Sequence, residues 1–158
     1  MYGRVMAVSP DKQLASFLAK FTPAIAKTAK AAIGKLGKLM PNATRLVYDN
    51  YNALVVAFAA GPKMTDVVCS IALYPQWVTL FFMRGATLPD PKHLLEGDGK
   101  HIRSIRLVDG AAMLDRPGVR ELLREAIMRV DFPRGAKPAL EIRAIVAKQR
   151  PRRPVVRR

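Results

Sequence analysis

The sequence predicts an α+β domain in which N-terminal helices and one C-terminal helix pack on an antiparallel sheet of about five strands. Residues 10–40 carry apolar side chains at the i, i+3, i+4, i+7 spacing of helices. Residues 44–83 switch to short β-branched and aromatic runs separated by brief turn signals. Residues 115–130 return to helical spacing. A length of 158 residues, half of them apolar, suits one domain with a substantial core.

Ser9-Pro10-Asp11 opens the first helix, because serine accepts from a free amide and proline is tolerated at the first helical position. Leu14, Phe17, Leu18 and Phe21 form its apolar face over 10–21. Thr22-Pro23 repeats the signal and starts a second helix to Met40. There Ile25, Ala29, Ile33 and Leu36 oppose Lys27, Lys30, Lys35 and Lys38. The lysine stripe reads as a solvated face or as a phosphate-facing one. Segments 44–50, 53–60, 66–74 and 77–83 read as four strands, and their short connections require antiparallel neighbours. One parity of these strands is small (Val55, Ala57, Ala59; Ser70, Ala72) and is edged by Tyr74 and Trp77. Such a face leaves a concavity or seats a helix. The chain then crosses through Gly85, Pro89, Pro91, Gly97 and Gly99 and re-enters the sheet over 101–108. A third helix runs from Asp115-Pro117 to Val130, with Glu125 and Arg129 at pairing distance on its polar side. Residues 1–132 form the domain. Residues 133–158 form a basic tail, with a marginal helix at 138–148 and a disordered stretch beyond it.

The formal charge is +15, of which the segment from Pro133 onward carries +8. That balance favours polyanionic partners through long-range attraction and counterion release. It equally describes a solubilising tail. No run of about eighteen apolar residues exists, so no membrane-spanning helix is expected. The single cysteine, Cys69, lies in the apolar run DVVCSIALY and reads as a buried thiol of a cytoplasmic chain.

The densest patterning lies in Leu73-Tyr74-Pro75, Trp77 to Phe82, Gly85-Ala86-Thr87-Leu88-Pro89-Asp90-Pro91, Leu94 to Lys100 and Ile102 to Leu107. These motifs resemble the YdhG-like domain family, which is grouped with YjbR-like and CyaY-like (frataxin-like) proteins. The resemblance runs from about Leu14 to Val130. It implies helices packed on one face of an antiparallel sheet, and for some members a role as an iron chaperone. Frataxin-like iron binding uses an acidic helix, whereas the matching helices here carry Lys12, Lys20, Lys27, Lys30, Lys35 and Lys38 against Asp11. Like charge repels a divalent cation, which disfavours iron delivery.

Three groups of residues are candidate sites. Lys100, Arg103 and Arg106, with Tyr74 and Trp77, suggest an anion site, because glycine-exposed amides and forked donors suit phosphate. The same glycines and arginines also suit a turn and a protected sheet edge. Asp90, His93, Asp98 and His101 are carboxylate and imidazole ligands within one loop, suited to a metal or to solvated caps. Arg150, Arg152, Arg153, Arg157 and Arg158 suit sequence-independent contacts to nucleic acid. No nucleophile–base arrangement, dinucleotide fingerprint or compact metal motif is present, and no cofactor is implied. Two non-catalytic classes follow. One is a binding module for an anionic small molecule, metal or protein partner; the other is a nucleic-acid-associated protein acting through its tail.

Overall fold

The computed structural model describes residues 8–135 and 137–156. Helix α1 (Pro10–Leu18) is capped by Ser9, whose side chain accepts from the Lys12 amide, and α2 (Pro23–Leu39) is capped in the same way by Thr22. Strands β1 (Thr44–Asp49), β2 (Leu54–Ala59), β3 (Val67–Leu73) and β4 (Val78–Phe82) form an antiparallel meander. After the crossing, β5 (Arg103–Arg106) pairs antiparallel with β4, and α3 (Pro117–Met128) follows. The fold is α+β, as the periodicities predict.

A sixth strand departs from the expected fold. Leu140–Ile145 forms β6, which pairs parallel with β1 and gives the sheet order β5-β4-β3-β2-β1-β6. The marginal helix expected at 138–148 is therefore absent. The six residues LEIRAI alternate in burial, with Leu140, Ile142 and Ala144 half-buried and the others exposed, which is a strand pattern. The free edge of β1 also supplies backbone partners that a short isolated helix would lack.

All three helices pack on one face of the sheet. Their buried residues, including Phe17, Ala29, Leu36, Leu122 and Leu123, join Val47, Val56, Phe58, Ile71, Leu80 and Phe82 in one core. The opposite parity carries Leu46, Ala57, Ala59 and Val67 in a separate small cluster. The register aligns Tyr48, Val55, Ala72, Thr79 and Arg106 in a row across this second face. The small residues therefore seat none of the helices. Among the described residues no α-helix covers this face, whose row runs from Tyr48, beside β6, to Arg106 on the edge strand β5.

Between α2 and α3, Lys35 and Arg120 both reach Asp115. The Lys35 hydrogen bond is the main cause holding this carboxyl below its ordinary range. Its folded-state preference is for the charged form, so this tie is present above the ordinary carboxylate pKa, about 3.9, and is lost on acidification through the lowered value. The Glu125–Arg129 pairing expected within α3 is replaced: Arg129 donates to the Thr87 hydroxyl at 2.8 Å and to the Thr87 carbonyl at 3.2 Å.

Cys69 is fully buried on the core side of β3, and burial pushes its thiol pKa up to about 12. At pH 8 the thiolate is therefore scarce as well as shielded. A disulfide-exchange reagent should label Cys69 only as fast as the protein unfolds, and labelling within the mixing time of native protein would contradict this placement.

Candidate anion-binding groove at the tail end of the sheet

The site begins with a buried carboxylate. Asp49 ends β1 on the core-facing parity of Val47 and is 0% exposed, so it requires charged or hydrogen-bonded partners. Arg152 supplies the main one. Its Nη2 donates to Asp49 Oδ1 at 2.9 Å and to the Asn50 carbonyl. Lys20 at the end of α1 donates to Asp49 Oδ2 at 3.2 Å. Arg152 is itself only 6% exposed and lies over the Phe21 ring, so its guanidinium is built into the fold. This corrects the reading of Arg152 as a solvent-facing phosphate contact. It also corrects the expectation of disorder for 149–153, which these contacts hold against the fold.

Neighbouring contacts extend the anchor. The Gln149 side chain donates to the Asp49 carbonyl at 3.2 Å, and the Arg150 amide donates to the Tyr51 carbonyl at 2.9 Å. Arg153 Nε donates to the Lys20 carbonyl at 3.2 Å, just past the C-terminus of α1, where unpaired carbonyls attract cations. The chain is thus carried past the tips of two hairpins. One tip holds Tyr51, with the Arg150 guanidinium 5.6 Å from its ring. The other is closed by the Tyr74 amide donating to the Trp77 carbonyl at 2.9 Å.

At that second tip the Tyr74 and Trp77 rings stack with centroids 5.2 Å apart, and Arg106 lies 4.3 Å over the Trp77 ring. Arg106 reaches Trp77 because it pairs with Thr79, two residues along β4. Two cavities adjoin these rings. One, of about 510 Å³, is lined by Tyr74, Gln76, Trp77, Arg150 and Arg153 among others. The second, of about 490 Å³, shares Gln76 and Trp77 and adds Arg106, with Ile25 and Thr28 of α2. Among the described residues, no aspartate or glutamate lines either cavity. Arg106, Arg150 and Arg153 are all exposed, so their charge faces solvent within reach of the groove.

Of the five residues of the sequence-predicted anion site, Tyr74, Trp77 and Arg106 come together. Lys100 and Arg103 do not, because they lie at the other end of β5. Arg103 is spent on its own loop: Nη1 donates to the Gly99 and Ile102 carbonyls. Its backbone packs so closely that a Cβ on Gly85 would fall 2.5 Å from Arg103 Cβ, which is why glycine is needed there. Lys100 lines an open, mostly apolar cleft with Met64, Met83 and Ile102.

The loop carboxylates and histidines do not converge either. Asp90 caps a turn, with its two oxygens accepting from the Leu94 and Leu95 amides at 2.9 Å each. His93, Asp98 and His101 are exposed, and among the described residues no group of three or more His, Cys, Asp or Glu side chains is placed to hold a metal ion. Arg157 and Arg158 lie outside the described residues. Among those residues, no helix is long and apolar enough to cross a membrane.

A further cavity of about 520 Å³ lies between the β2–β3 connection, the end of β4 and α3. Sequence reading did not anticipate it, because Thr65, Arg84 and Arg129 come from distant segments. Arg84 and Arg129 line it together with Asp66 and Asp131, so its charge is mixed, and both arginines already donate to Thr65 or Thr87. No family model, curated protein or solved structure matches the chain.

If Arg152 positions the tail, removing it leaves Asp49 buried with only the Lys20 ammonium. Breaking a buried ion pair from one side costs about 3–5 kcal/mol. Arg152→Ala should lower the urea unfolding free energy by about that amount and expose residues beyond Ile145 to limited proteolysis. A loss under about 1 kcal/mol would show that the pair does not hold the tail.

Proposed function

We propose that the chain is a non-catalytic, YdhG-like binding module that takes a phosphate-bearing ligand in the groove formed by Tyr74, Trp77, Arg106, Arg150 and Arg153. The supporting observation is the composition of that groove: three exposed arginines, a stacked aromatic pair and, among the described residues, no aspartate or glutamate. Forked guanidinium donors suit phosphate oxygens, and the absence of lining acids leaves their potential uncompensated. The net charge of +15 adds long-range attraction for such ligands. A metal-delivery role lacks comparable support, since the loop ligands are dispersed and the helical surface is cationic.

Trp77 is the single tryptophan, so its fluorescence reports on the groove directly. Titration with adenosine triphosphate should quench it saturably and less tightly as salt rises. A charge-assisted hydrogen bond contributes about 1.5–3 kcal/mol, so Arg106→Ala and Arg153→Ala should each weaken binding roughly tenfold or more. Lys100→Ala should change it less than about twofold, because Lys100 lies at the opposite end of β5. Loss of binding in Lys100→Ala, with the two arginine variants unaffected, would place the site elsewhere.

A further inference from the structure

The groove is longer than one small-ligand site, and its chemistry repeats along its length. Two cavities, of about 510 and 490 Å³, lie side by side with Gln76 and Trp77 common to both linings. Each alone falls in the range of about 300–1,000 Å³ that holds a single small ligand. Cations flank the aromatic junction on both sides, Arg150 and Arg153 in one cavity and Arg106 in the other. A second arginine-on-aromatic pair, Arg150 over Tyr51, stands at the neighbouring hairpin tip, where Tyr51 is 41% exposed. We infer that this groove binds single-stranded nucleic acid, with phosphates on Arg106, Arg150 and Arg153 and unpaired bases extending the Tyr74–Trp77 stack. The inference deepens the proposed function and rests on its reading of the groove as an anion site.

Alternation of cations and aromatic faces is the pattern that tracks a single strand. The phosphodiester backbone meets guanidinium groups at intervals, while each base offers a flat face for stacking. A mononucleotide would use only one of the two cavities. A duplex keeps its base faces stacked within itself and could meet only the arginines, leaving the aromatic pair without a partner. With the arginines placed on phosphates, the side-chain amides left near the junction to read base edges are Gln76 and Asn52, so recognition should be largely independent of sequence. The fold also determines where the tail contributes. Arg152 is withdrawn to Asp49, which presents Arg150 and Arg153 at the groove.

Fluorescence anisotropy on the full chain tests this with a labelled twelve-nucleotide oligothymidine, the corresponding thymidine–adenosine duplex and adenosine triphosphate as competitor, at moderate salt. The strand should bind at least tenfold more tightly than the duplex, and adenosine triphosphate should displace it only at much higher concentration. Tyr74→Ala should weaken strand binding about fivefold or more with its salt slope unchanged. Tyr74→Phe, which keeps the ring, should bind as the parent does. Arg150→Ala and Arg153→Ala should each flatten the slope of log affinity against log salt by roughly one unit or less. Melting curves of all variants identify any loss due to unfolding, and the Tyr74→Phe comparison covers that case. If adenosine triphosphate quenches Trp77 but the strand binds no more tightly, the nucleic-acid inference fails while the anion groove stands. If duplex matches single strand and Tyr74→Ala is neutral, stacking is refuted. If neither ligand binds, both readings fail.

Discussion

The buried pair between Asp49 and Arg152 constrains the tail end of this molecule more than any other contact. A carboxylate on the core side of a strand end cannot remain there unpaired. Its guanidinium partner comes from a segment that, by composition, should remain in solvent. The pair is therefore a positional device more than a source of net stability, because the desolvation of both groups offsets much of their attraction. Nη2 makes both hydrogen bonds of Arg152, while its Nε and Nη1 have no partner among the described residues. With Arg152 fixed, Arg153 lies on the carbonyls past α1 and Arg150 against Tyr51. The groove follows from these placements.

Around this anchor the sheet divides its labour by face and by end. One face carries the branched and aromatic side chains that bury α1, α2 and α3. The other carries short side chains and leads to Arg106 and the Trp77 hairpin. The arginines divide in the same way. Arg103, Arg129 and Arg152 are engaged with backbone carbonyls, a hydroxyl or a buried carboxylate, and Arg153 is engaged in part, its Nε and Nη2 donating to the Lys20 and Ala19 carbonyls. Arg106 and Arg150 instead lie over aromatic rings, where their forks keep donors for a ligand. Net charge alone does not distinguish these two uses; burial and hydrogen-bond partners do.

The helices and the meander were legible because their causes are local. Ser9-Pro10 and Thr22-Pro23 write their caps into the sequence, and the parity of Leu54, Val56 and Phe58 identifies the buried face of β2. Strand β6 was not legible, since its six residues become a strand only when the edge of β1 is available beside them. Its alternating burial does follow the sequence, but a short run amid basic residues carries little weight. Half of the site was legible: Tyr74 and Trp77 share one hairpin, and the pairing of β5 with β4 brings Arg106 to them. Its other half was hidden, because Arg150 and Arg153 arrive through Arg152 reaching Asp49 across most of the chain. The one available signal was Asp49 itself, an acid on the parity of Val47 that implies a distant cation.

Strand binding in the groove is read residue by residue in a nuclear magnetic resonance titration of isotope-labelled protein with oligothymidine, following the single indole N–H of Trp77 together with the arginine side-chain resonances. Saturable shifts are expected at Trp77, Arg106, Arg150 and Arg153, with Lys100, Arg84 and Arg129 at the far end unmoved. Shifts confined to that far end, or an unmoved Trp77 indole alongside shifts in the tail, would contradict binding in the groove.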